Sequence, residues 1–134
     1  MSETSGGKSL TGVWQGTYSY PVGFQPAPFI ATLLEAQTWL SGTTHEPGRH
    51  KNGAPGTLYA MISGERRGSA VTFSKTYDGT GGWDHAIDYD GTINGDATEI
   101  DGVWTIPGQW AGRFLMVRIG NATEAVKRTA AAKV

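Results

Sequence analysis

A chain of 134 residues with a formal net charge of -1 has the length for one domain with its own core. It lacks the basic excess needed to engage nucleic acid or an anionic membrane. With no cysteine it can form no disulfide, no thiolate zinc site and no cysteine nucleophile.

No apolar run approaches the roughly 18 residues of a membrane-spanning helix. Residues 1–9 are rich in Ser, Gly, Thr and Glu. They read as a flexible N-terminus with no secretory signal, so a cytoplasmic location is expected. Twenty glycines, six prolines and five tryptophans suit many short strands joined by turns.

The first strand is expected over about 11–20. Its even positions, Trp14, Gly16, Tyr18 and Tyr20, place a large aromatic set on one face by period-two alternation. Residues 21–28 hold Pro21, Pro26, Pro28 and Phe24, and so many prolines exclude a central strand. A second strand follows over about 29–36, then a tight link near Gln37. A third over about 38–46 carries Trp39, Leu40, Gly42 and His45.

Residues 47–56 read as a long loop. A fourth strand spans about 57–63, and Gly64 to Gly68, with Glu65, Arg66 and Arg67, reads as a solvated turn. The fifth, about 69–77, carries Val71, Phe73, Lys75 and Tyr77 on one parity. A glycine loop over 78–82 leads to Trp83. The sixth strand is expected over about 84–90, with His85 inside it and Asp88 and Asp90 turned to solvent. After the Asn94-Gly95 hairpin signal comes a seventh over about 98–106, and Pro107 to Gln109 turns into the eighth, about 110–119. Residues 121–134 have the composition of a short helix or a tail.

Eight consecutive strands with short links predict an all-β, eight-stranded up-and-down antiparallel barrel over residues 10–120. If the first strand runs upward, the links near Gln37, Gly64–Gly68 and Gly91–Ala97 lie at the lower end, and the longer ones lie at the upper end. Trp14 and Arg118 then fall at the lower end of neighbouring strands, placed for a cation–π contact.

Leu10-Thr11-Gly12-Val13-Trp14 on the first strand, with Arg118 ending the last, resembles the calycin superfamily of lipocalins, fatty-acid-binding proteins and avidins. The Leu-Thr-Gly-x-Trp opening is similar to that of avidins in particular. The resemblance implies that Trp14 and Arg118 form a structural plug at the closed end and that ligand enters at the other. It carries the fold without the ligand: Gly16 and Tyr20 stand roughly where avidins place the Asn and Ser that anchor biotin, and the Thr-Asp-Tyr motif of lipocalins is absent.

The upper rim gathers aromatic and titratable side chains, a common design for small-ligand mouths. Tyr18, Tyr20, Phe24, Trp39, Phe73, Tyr77, Trp83 and Trp110 are expected to form walls, with His45 or His85 orienting a polar group. Lys75 is expected inside, paired with Glu35 or with a ligand anion, because an internal ammonium needs a partner. The alternative is a filled structural barrel that self-associates through outward Ile30, Leu34, Leu115 and Val117.

Catalysis by rim histidines is the third reading, but no nucleophile elbow supports it and no catalytic residue is assigned. His45, Glu46, His50, Asp84 and His85 are permitted metal ligands whose spacing points to no site, and no cofactor is expected. The expected partner is a small apolar or aromatic molecule.

Overall fold

Eight strands follow one another around a closed ring, each hydrogen-bonded to the next and the last returned to the first. The structure is a computed structural model that describes residues 8–21 and 25–121. The strands are β1 (Gly12–Ser19), β2 (Ala27–Ala36), β3 (Trp39–Arg49), β4 (Pro55–Arg67), β5 (Ala70–Tyr77), β6 (Ala86–Ile93), β7 (Glu99–Ile106) and β8 (Trp110–Gly120). All neighbours are antiparallel. This is the up-and-down barrel that the alternation predicts. Phe24 and the C-terminal segment 122–134 lie outside the described residues, so the expected wall residue and the expected helix have no structural account. Among the described residues, no helix is long and apolar enough to cross a membrane.

Two boundaries differ from expectation. Residues 47–56 are not all loop: β3 runs through Pro47 to Arg49, β4 begins at Pro55, and the two form a hairpin beyond the rest of the sheet. Beyond His45, β3 has no partner in β2, so Pro47 lies where a proline removes no ladder bond on that side. Below, β4 continues to Arg67 and turns at Gly68, whose φ is 62°. Arg66 is therefore a strand residue with an inward side chain, 6% exposed, and not part of a solvated turn. It pairs with Glu35 at 3.1 Å and donates to the Lys8 carbonyl at 2.7 Å.

The lower half is filled by side chains. Trp14, Leu33, Leu40, Ile100, Phe114 and Met116 are buried. Phe73 stacks on Tyr89 with ring centroids 4.8 Å apart, and Phe114 meets Tyr89 edge-on at 4.9 Å. At the very bottom, the Arg118 guanidinium lies 4.6 Å from the Trp14 ring centroid. Gly12 makes this possible, because a Cβ there would lie 2.4 Å from an Arg118 nitrogen. Gly16 does the same for Phe29, whose ring covers the space a Cβ would take. Large inward residues thus need small ones opposite, and the packing leaves the upper end open.

Candidate functional site

The upper end opens into a cavity of about 1110 Å³. Its floor is built by alternation on three strands. On β3, Thr44 and Glu46 face inward while His45 faces out. On β5, Lys75 and Tyr77 face inward, and on β1 Tyr18 does so. The Lys75 ammonium reaches Glu46 Oε1 at 3.0 Å, and the Tyr77 hydroxyl donates to the same oxygen at 2.9 Å. The Tyr18 hydroxyl donates to Oε2. Lys75 is fully buried, with its nitrogen 4.7 Å from the ring centroids of both Tyr18 and Phe29, 5.2 Å from Tyr77 and 5.5 Å from Tyr89. An ammonium among π faces, with a carboxylate on its open side, replaces lost hydration by cation–π and ionic contacts.

This environment sets the protonation of the floor. Burial lowers the Lys75 ammonium from its ordinary range, and the Glu46 carboxylate opposes that. Burial, reinforced by the nearby Tyr77 phenol and Glu46, pushes the Tyr18 phenol far up. Burial and then Glu46 raise Tyr77 likewise, and burial raises Tyr89. These tyrosines therefore stay protonated, and Tyr18 and Tyr77 act as donors to the carboxylate, whereas the buried Tyr89 hydroxyl has no partner among the described residues.

From the floor an aromatic wall climbs to the rim. Tyr18 meets Tyr20 edge-on at 5.8 Å and Trp104 at 6.2 Å. Tyr20 meets Trp104 at 5.5 Å and Trp110 at 5.2 Å. The Trp104 indole donates to the Ser19 carbonyl at 3.0 Å, which fixes the ring against β1. On the opposite side, His85 lies 4.9 Å from Tyr77 and 5.8 Å from Trp83. Burial, and secondarily the Lys75 charge, lower His85, against Asp84 and Glu46.

The rim is bolted together by hydrogen bonds between two loops. The turn containing the short 3-10 segment Thr80–Gly82 meets the β3–β4 hairpin there. Lys51 N–H donates to the Gly81 carbonyl at 2.7 Å, and the Trp83 indole donates to the Arg49 carbonyl at 2.7 Å. The Lys51 ammonium stands 5.3 Å over the Trp83 ring.

Of the residues expected at the mouth, Tyr18, Tyr20, Tyr77, Trp83, His85 and Trp110 line the cavity. Three do not. Trp39 is 63% exposed on the outer face near the lower end, because β3 parity buries Leu40 and turns Trp39 out. His45 faces outward by the same parity and is not brought together with His85. Phe73 is inward but deeper, in the packed core against Tyr89. His85 precedes β6 instead of lying within it. Lys75 is internal, as expected, but its partner is Glu46; Glu35 sits at the lower end with Arg66 and accepts the Leu10 N–H at 2.7 Å.

Trp104 is the wall residue that sequence reasoning passed over, and Glu46 enters it as a permitted metal ligand, not as the partner of Lys75. Strand parity could have found both, since Glu46 shares the parity of Leu40 and Thr44, and Trp104 that of Ile100.

No family model matches this chain, and no curated protein matches it. A solved structure described as a redesigned β-barrel is similar, with a TM-score of 0.58 at 15% identity over 84% of this chain and 92% of that one. At that identity the likeness concerns the fold alone.

Proposed function

We propose that the barrel is a non-catalytic container for a small, largely apolar or aromatic molecule held at its upper mouth. The observation that carries this reading is the cavity of about 1110 Å³ walled by Tyr20, Trp83, Trp104 and Trp110 above a polar floor. Such a volume far exceeds the space one water needs, and an apolar wall with few convergent polar groups is the usual composition of ligand pockets. The calycin-like opening Gly12-x-Trp14 and the closing Arg118 fit the same reading, with the plug below and the entrance above.

Titration with naphthalene tests it. Saturable binding with chemical-shift changes confined to Tyr20, Trp83, Trp104, Trp110 and their neighbours is the expected result. Non-saturable binding, or shifts spread over the outer face, would refute the container. Native mass spectrometry of protein from its own host then identifies the carried molecule.

A second reading, a barrel that assembles through its outer surface, is favoured by β8. There Leu115, Val117 and Ile119 are 42%, 38% and 55% exposed in one outward row. A concentration-independent monomer mass in sedimentation equilibrium would dispose of it.

A further inference from the structure

We infer that the molecule held in this mouth presents a neutral hydrogen-bond donor, such as a phenol, an alcohol or a ring N–H, to the Glu46 carboxylate at the cavity floor. The inference rests on the container reading and specifies which head group the container selects.

The argument counts donors and acceptors. An ionised carboxylate has about four acceptor positions. Three are taken: Lys75 and Tyr77 donate to Oε1, and Tyr18 donates to Oε2. Each oxygen takes about two bonds, so Oε1 is full and one position remains on Oε2. Glu46, 2% exposed, lines the cavity, and Lys75, 0% exposed, does not. Tyr18 and Tyr77 also line the cavity, but each spends its only hydroxyl proton on Glu46. What the groups at this carboxylate offer an entering molecule is therefore acceptor capacity; the Thr44 hydroxyl on the same strand, without a partner among the described residues, does not line the cavity.

Charge narrows the class. The Lys75 ammonium already compensates Glu46 at 3.0 Å. At this floor a cationic head gains no uncompensated partner and loses its hydration on entry. An anionic head there meets a carboxylate and finds the Lys75 ammonium covered, while the cavity's other cations, Arg49 and Lys51, stand at the rim hairpin. A neutral donor makes a charge-assisted bond without bringing a charge into the site. The aromatic wall of Tyr20, Trp104 and Trp110, whose rings meet edge-on or tilted, favours an apolar, aromatic body.

The test compares four probes with one ring system: 2-naphthol, 2-methoxynaphthalene, 2-naphthoate and 2-naphthylmethylammonium, titrated calorimetrically near pH 7. A charge-assisted hydrogen bond separates binders by about tenfold or more. The expected order places 2-naphthol at least about tenfold tighter than 2-methoxynaphthalene, with both charged probes weaker than 2-naphthol. Equal or tighter binding of 2-methoxynaphthalene overturns the donor assignment, and tighter binding of either ion overturns the neutral one. In both cases the container reading survives. If none of the four binds and naphthalene also fails, both readings fall.

The double variant E46M/K75M, checked for a cooperative thermal transition, removes the acceptor and frees the Tyr18 and Tyr77 protons. The preference for naphthol over methoxynaphthalene should then shrink to about unity or reverse. A preference unchanged in the folded double variant would show that Glu46 is not its source.

Discussion

Arg118 and Trp14 sit directly opposite each other in the ladder that joins β8 to β1, with the guanidinium 4.6 Å from the indole centroid. The register slips between Val13 and Trp14, which realigns the two strands at the point of closure. Arg118 then caps the lower end by donating to the carbonyls of Ser9 at 2.6 Å, Thr11 at 2.8 Å and Ala97 at 2.9 Å. Trp14 anchors itself through its indole to the Leu10 carbonyl at 3.0 Å. One cation thus ties three chain segments over one ring.

Trp14→Ala should destabilise the barrel by about 3–5 kcal/mol, the range for removing a large buried aromatic. Trp14 is 0% exposed, so little relaxation is available. Urea unfolding measures this directly, and a loss under about 1 kcal/mol would contradict its place in the core.

Gly12→Ala should cost about 1–3 kcal/mol through overpacking. The new methyl would stand 2.4 Å from an Arg118 nitrogen and 2.6 Å from the Gly120 carbonyl oxygen. The backbone oxygen cannot swing away as a side chain can. The same assay on Gly95→Ala, where nothing lies within 4 Å, provides the comparison and should be near neutral.

Lys75→Met alone should destabilise by about 3–5 kcal/mol, because it leaves Glu46 buried without its cation. Adding Glu46→Met should recover most of that loss, since a buried ion pair and an apolar pair of similar volume are often close in energy. A double variant no more stable than the single one would show that the tyrosine bonds, not the charge pair, dominate the floor.

Stability should fall as pH rises above about 10.5. Tyr18, Tyr77 and Tyr89 have folded values raised above the ordinary 10.0. Above that pH the unfolded chain releases phenolic protons that the native state retains, so unfolding becomes more favourable. Each contributes up to about 1.4 kcal/mol per pH unit. Lys75 acts oppositely, but only below its unfolded value of 10.5, because its folded value is lowered. Denaturant midpoints at several alkaline pH values test the slope. Tyr77→Phe should reduce it by about one proton's worth, and an unchanged slope would count against burial of that hydroxyl.

The contrast between outward and cavity-lining side chains defines a last outcome. Trp39→Ala and His45→Ala should leave naphthalene affinity within about twofold, since both side chains face away from the cavity. Trp104→Ala should weaken it at least about fivefold by removing wall area and the ring against which Tyr20 and Trp110 pack. Equal effects from the two sets would place the ligand elsewhere.

The sequence alone determined the eight strands, their closure into a barrel and the meeting of Trp14 with Arg118. These follow from local alternation, turn residues and direction of travel, which a linear chain carries explicitly. It also placed Lys75 inside, because Val71, Phe73 and Tyr77 share its parity. Parity was legible for Trp39, His45 and Glu46 too, but residue type pulled the reading toward aromatics and histidines near the rim.

The height of each side chain along the barrel was decided only by the tertiary structure. Strand stagger and tilt govern which inward residues share a level, so Phe73 fell into the packed core. Pairing partners were settled the same way: Glu46 met Lys75, and Glu35 met Arg66. No spacing within a strand specifies which acid on a distant strand reaches a buried cation. That choice belongs to the register of the closed sheet.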